Sequence, residues 1–86
     1  DTSGLVVPYP GYLLREGSRG DNVRLMQEYL RTISQRYPIP TIVPDGIFGP
    51  ATKNAVTAFQ RTFGLVPDGI IGKNTWDRIV AVRLLM

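Results

Sequence analysis

Asp45 and Asp68 are the residues whose surroundings first suggest chemistry. Each opens an Asp-Gly-Ile triplet with a second glycine two residues further on. Two carboxylates flanking a cleft could cleave a glycosidic bond, if one stayed protonated and the other ionised. A calcium loop would need oxygen side chains at alternating positions and a distal Glu. Asp45 is followed instead by Gly, Ile, Phe, Gly and Pro. Glu16 and Glu28 flank the first expected helix and read as solvated. The chain has no His and no Cys. It therefore lacks the usual general base near neutral pH, the commonest zinc ligands, a thiol nucleophile and any disulfide. Neither a metal nor a cofactor is expected.

Both aspartates have a simpler explanation as turn residues. An Asp carboxylate accepts nearby backbone amides, and the following Gly takes backbone angles that other residues avoid. The segment Pro44-Asp-Gly-Ile-Phe-Gly-Pro-Ala-Thr52 recurs 23 residues later as Pro67-Asp-Gly-Ile-Ile-Gly-Lys-Asn-Thr75, with six of nine positions identical. A left-handed backbone is expected at Gly46, Gly69 or both. The apolar pairs Ile47-Phe48 and Ile70-Ile71 should each send one side chain inward. Gly49 and Gly72 then release the chain into a helix. Thr52 and Thr75 fall in the first helical turn, where a hydroxyl can satisfy a free amide or meet the Asp.

Three helices must carry these loops. Asp21 or Asn22 can cap the first, which runs to about Ser34. Val23, Met26, Leu30 and Ile33 share one face with Gln27, and Glu28 can pair with Arg31. Pro38 and Pro40 make Tyr37 to Pro44 an extended connector. The second helix starts at Pro50, a favoured first position. It carries a stripe of Ala55, Val56, Phe59 and Phe63, and stops at Gly64. The third starts near Lys73, with Trp76, Ile79, Val80 and Val82 to Leu85 apolar. The expected fold is all-α, a compact three-helix bundle with repeated Asp-Gly turn-to-helix loops. Residues 1–13 form an irregular arm, apolar enough at Leu5, Val6 and Val7 to pack, and residues 14–86 the domain.

The net charge is +3 with a pI near 9.7, and the ten Arg and Lys residues form no run. That suits a solvated mixed surface or attraction to a polyanion. A helix-turn-helix reader of nucleic acid would need a short link between its paired helices. Here the gaps are long and the last helix is mostly apolar. No stretch is long and apolar enough to span a membrane. The first residue is Asp1 rather than Met, so a signal sequence and an attached domain are expected outside this segment.

Three linked motifs resemble the peptidoglycan-binding domain family. They are Gly17-Ser-Arg-Gly-Asp-x-Val23-x-x-Met-Gln27-x-x-Leu30, Asp45-Gly-x-Phe-Gly-Pro-x-Thr52-x-x-Ala-Val-x-x-Phe-Gln60, and Gly64-Leu-x-x-Asp68-Gly-x-x-Gly72-x-x-Thr-Trp76. Together they cover about residues 14 to 82. Two features depart from the family pattern: a longer, proline-rich connector before Asp45, and Met26 where Leu is commoner.

The resemblance implies a non-catalytic module that binds peptidoglycan or muropeptides and anchors a cell-wall enzyme. It also implies a location outside the cell or in the wall. A monomer is expected, with no nucleic-acid partner. A surface protein-interaction domain that kept the fold without wall binding is the alternative. Gln27 and Gln60 are expected to hydrogen-bond loop backbone. The ligand surface is expected around Phe48, Thr52, Lys53, Lys73, Thr75 and Trp76, between two neighbouring Asp-Gly loops, with the connector as one lip. Core packing is expected to be the main role of Trp76.

Overall fold

A computed structural model describes residues 7–86. Its helices are α1 (Asp21–Ile33), α2 (Pro50–Thr62) and α3 (Lys73–Leu84), and no strand occurs among the described residues. Each helix is preceded by a glycine at its N-cap: Gly20, Gly49 and Gly72, none with a side-chain cap bond. This corrects the expectation that Asp21 or Asn22 caps α1. Gly20 has φ 123°, which a residue with a Cβ rarely adopts, so the cap position falls to glycine. Asp21 instead sits in the first turn, where its charge complements the helix dipole. Pro50 opens α2 as expected. At the other end of α2, Gly64 has φ 73° and the Leu65 amide donates to the Gln60 carbonyl at 2.8 Å, a Schellman stop.

The stripes meet in one core. Val23, Met26, Leu30 and Ile33 of α1 face Ala55, Val56 and Phe59 of α2, and Trp76, Ile79 and Val80 of α3, all buried. Leu14, Phe48 and Ile71 close it from the loop side, and Ile39 and Ile42 of the connector also lie within it. The apolar run of α3 stops sooner than expected. Val82 is buried, Leu84 only partly, and Leu85 is 85% exposed. Glu28 pairs with Arg24 at 3.3 Å rather than with Arg31, one full turn being the closer approach on this face. Of the expected arm, residues 1–6, with Leu5 and Val6, lie outside the described residues. Val7 accepts a hydrogen bond from Trp76 Nε1 at 2.9 Å, and Tyr9 packs edge-on to the indole with ring centroids 6.1 Å apart.

Both loop glycines are left-handed, Gly46 at φ 80° and Gly69 at φ 73°. They differ in space. A Cβ on Gly46 would lie 3.5 Å from the Gly20 carbonyl oxygen, an ordinary contact. On Gly69 it would lie 2.8 Å from Lys53 Cγ and 3.1 Å from Thr57 Oγ1. Gly46→Ala should therefore cost about 1 kcal/mol, from backbone strain alone. Gly69→Ala should cost about 2 kcal/mol, because a clash adds to the strain. Urea denaturation of both variants tests this, and equal losses would mean that the Lys53 side chain moves aside freely.

Candidate functional site

The two Asp-Gly loops are built on one plan. In the first (residues 45–49), the Gly46 amide donates to Gln27 Oε1 at 2.8 Å. Gln27 Nε2 lies 3.2 Å from Asp45 Oδ1, 2.9 Å from the Ile47 carbonyl and 3.0 Å from Thr52 Oγ1. In the second (residues 68–72), the Gly69 amide donates to Gln60 Oε1 at 2.9 Å. Gln60 Nε2 lies 2.9 Å from Asp68 Oδ1, 3.0 Å from the Ile70 carbonyl and 3.1 Å from Thr75 Oγ1. Each Asp Oδ1 also accepts the amide two residues on, from Ile47 or Ile70, at 3.0 Å.

One buried amide side chain on each helix thus clamps the loop that starts the next helix. This is the role expected of Gln27 and Gln60. Thr52 and Thr75 serve the clamp as acceptors for glutamine, not by capping a free amide or meeting the Asp. The same bonds account for Asp45 and Asp68 structurally. The Ile47 amide, and then Gln27, hold the Asp45 carboxyl below its usual value. A lowered folded pKa means this contribution is present above the ordinary carboxylate range and is lost as pH falls through the lowered value. Among the described residues no cluster of potential metal ligands occurs.

The stretch Leu14–Gly20 lies between the two loops and is bonded to both. Leu14 exchanges backbone bonds with Ile71 at 3.0 and 2.8 Å. Gly17 and Ser18 bond to Phe48, and the Gly20 amide donates to the Gly46 carbonyl at 3.0 Å. Lys53 Nζ reaches Glu16 at 3.6 Å across this stretch. Around it lies a cleft of about 300 Å³ lined by Arg15, Glu16, Lys53, Asp68, Gly69 and Ile70.

The larger concavity is on the outer side of the second loop. It is an open groove of about 550 Å³, lined by Leu13, Leu65, Val66, Asp68, Ile70, Lys73, Asn74 and Thr75, with Gln60, Gly64 and Gly72. It opens beside the N-terminus of α3, whose first amides have no partner within the helix. Leu13 is 54% and Val66 74% exposed, so two large apolar side chains stand open to solvent at its edge.

The expected ligand residues divide sharply. Phe48 and Trp76 are core residues, and Thr52 and Thr75 are buried with their hydroxyls committed to the clamps. These four side chains are not free to meet a ligand, because the turn that leads into each helix points them inward. Lys53 and Lys73 are exposed, and Lys73 Nζ contacts Asp77 at 2.6 Å. The connector is not a lip of the large groove. Ile39 and Ile42 draw it onto the core, and Tyr37 packs on Phe63. Leu13 and Val66 were not anticipated. A signal for Val66 existed: the repeat extends one residue upstream, to Val43-Pro44 and Val66-Pro67, and both valines are 74% exposed. An apolar residue kept twice at a solvent-facing place is not explained by packing.

The family model described as "Putative peptidoglycan binding domain" matches residues 19–79. The zinc D-Ala-D-Ala carboxypeptidase of Streptomyces albus G is 44% identical over 66 residues, which are 77% of this chain and 25% of that protein. The chain thus spans a quarter of the length of that curated relative. Among solved structures, the SleB N-terminal domain superposes with a TM-score of 0.76 at 31% identity, covering 87% of this chain and 97% of that one. A peptidoglycan-binding protein from Clostridioides difficile, solved with glutamine hydroxamate, gives 0.73 at 36% identity, over 85% of this chain and 43% of its own. The Burkholderia AP3 phage endolysin gives 0.70 at 42%, over 83% and 26%. With its three helices, its paired glutamine clamps and this match over most of its length, the chain belongs to the peptidoglycan-binding domain family.

Proposed function

We propose that this chain is a non-catalytic module that binds the stem peptides of peptidoglycan in the groove beside the second loop. It thereby holds an attached or neighbouring enzyme at the bacterial wall, outside the cell, as a monomer. The observation that carries the proposal is the composition of the groove. Exposed Leu13 and Val66 offer contact to short aliphatic side chains. Lys73 and the first amides of α3 favour a carboxylate. The Lys73–Asp77 pair is exposed and therefore weak, so a ligand carboxylate can compete for the ammonium. Tethering by such a site raises the local concentration of an attached enzyme without any new chemistry.

Retention on purified sacculi tests the function, and amide-shift titration with soluble muropeptides tests the surface. The expected shifts centre on residues 64–66 and 72–75. Lys73→Ala should weaken muropeptide binding about fivefold, the worth of one exposed charge contact of roughly 1 kcal/mol. Shifts confined to the outer face of α1, around Arg24, Glu28 and Arg31, would put the site elsewhere. Failure to sediment with sacculi would favour the protein-interaction alternative.

A further inference from the structure

The register of the repeat continues past α2. Moving 23 residues along, Val56, Phe59 and Gln60 correspond to Ile79, Val82 and Arg83, and Ala55 corresponds to Arg78. The apolar members stay buried in both copies. The other two change sides: Ala55 and Gln60 are buried in α2, whereas Arg78 and Arg83 are exposed in α3. Two positions covered in one copy of the repeat are thus open in the next, and each carries a guanidinium group.

Arg78 does not stand alone there. With Arg36, Tyr37, Phe63, Val82 and Leu85 it lines a cleft of about 370 Å³ towards the C-terminal end of α3, away from Lys73. The Tyr37 and Phe63 rings meet edge-on with centroids 4.9 Å apart. Arg78 Nη1 lies 3.4 Å from the Phe63 carbonyl oxygen, at the limit of a hydrogen bond. No Asp or Glu side chain lines the cleft, and Met86 is at its edge. Among the described residues the ion pairs are Arg24–Glu28, Lys53–Glu16 and Lys73–Asp77, so neither Arg36 nor Arg78 has a carboxylate partner.

We propose that this cleft binds the phosphodiester groups of an anionic polyol-phosphate polymer of the cell wall. A guanidinium presents a planar fork that matches phosphate oxygens two at a time. Two such groups on one cleft suit a chain with repeating charges better than a single carboxylate. The aromatic edges and Leu85 offer apolar contact to the carbons between phosphates. The choice of a wall polymer rests on the proposed peptidoglycan binding; the anion chemistry does not. Groove and cleft lie toward opposite ends of α3, so glycopeptide and polymer can be held together, and two weak contacts reinforce each other.

The test uses the chain itself with two separate probes: poly(glycerol phosphate), and sacculi stripped of phosphate polymers. The wild type should bind the polymer at low salt, and Arg36→Ala/Arg78→Ala should bind it about tenfold or more weakly, with a shallower salt dependence. Sedimentation with stripped sacculi should be unchanged in that variant. Arg36→Lys/Arg78→Lys, which keeps the charge and any packing of the stems, should recover part of the binding. Equal polymer affinity in wild type and the alanine pair would overturn the proposal. So would single-stranded DNA of matched charge binding as tightly as the polymer, which would mark a general polyanion surface. Wild type that fails on stripped sacculi yet binds polymer would sink the peptidoglycan reading and leave the cleft standing.

Discussion

Gln60→Leu is expected to destabilise the domain by about 4 kcal/mol, as a sum over the buried polar groups it strands. Leucine fills much the same space but offers neither donor nor acceptor. The Gly69 amide, the Ile70 carbonyl and the Thr75 hydroxyl each lose their partner, and an unpaired buried group costs about 1–3 kcal/mol. Asp68 also loses a donor, but it is exposed and water can replace that bond. Gln27→Leu should cost less, about 2–3 kcal/mol, because the first loop is less enclosed and water can reach more of it. Gly46 is half-buried where Gly69 is buried.

Gln60→Glu separates loss of the donor from loss of the acceptor, because it keeps an oxygen for the Gly69 amide. The new carboxyl would face Asp68 Oδ1 at a place where Nε2 now lies 2.9 Å away. Burial and a like charge both raise its folded pKa above the unfolded value of about 4.3. The charged form is therefore penalised at neutral pH, and the penalty shrinks as pH falls toward that unfolded value. Urea denaturation at pH 7 and pH 5 gives both comparisons. A cost below about 1 kcal/mol for Gln60→Leu would mean that the clamp is not what holds the second loop.

Trp76→Ala is expected to cost about 4–5 kcal/mol, the upper range for removing a buried aromatic ring. Trp76 is fully buried, and its indole N–H donates to the Val7 carbonyl. Truncation leaves a cavity and frees the N-terminal arm in one step. An 86-residue domain has a total stability of only about 5–10 kcal/mol, so this variant should keep half of it or little more and melt far below the wild type. Trp76→Phe isolates the second effect. It keeps most of the ring against Tyr9 and deletes the N–H. It should cost about 2 kcal/mol and speed hydrogen exchange in the arm around Tyr9 more than in α1. Uniform acceleration across all three helices would show that the indole acts on the core alone.

These effects trace back to what the sequence does and does not encode locally. Helical spacing identifies Val23, Met26 and Leu30 as one face, because periodicity is a property of neighbours. The identity of two nine-residue segments exposes both loops, and a polar Gln on each apolar face suggests its task of satisfying loop backbone. The orientation of the loops is another matter. Phe48, Thr52, Thr75 and Trp76 are expected near a ligand because they lie in or beside loops that feed two helix N-termini, although core packing is the main role expected of Trp76. Whether a residue one step past a glycine turn points in or out depends on the packing of remote segments. Leu14 pairs with Ile71 across about two thirds of the chain, and no local pattern announces such a contact. The same holds for the groove. Its walls, Leu13 and Val66, are distant in sequence and become neighbours only through that pairing. Gly20 at the cap of α1 was hidden for a different reason. Asp21 and Asn22 are the better cap residues by type, and the positive φ that excludes them is a demand of the Gly20–Gly46 bridge.

The bridge between Leu14 and Ile71 also orders events in time. The first clamp joins Gln27 to a loop that begins at Asp45, so a growing chain can close it once α2 has begun. The second loop can meet Gln60 soon after it appears, but its outer edge stays open until it finds Leu14, from the start of the domain. Bringing together segments so far apart carries a large loop-closure entropy, and long-range contacts slow folding more than they weaken the product. The groove is therefore the last part to acquire its walls. If the groove is the binding surface proposed above, the domain would bind only after it had been made whole and these two distant segments had met.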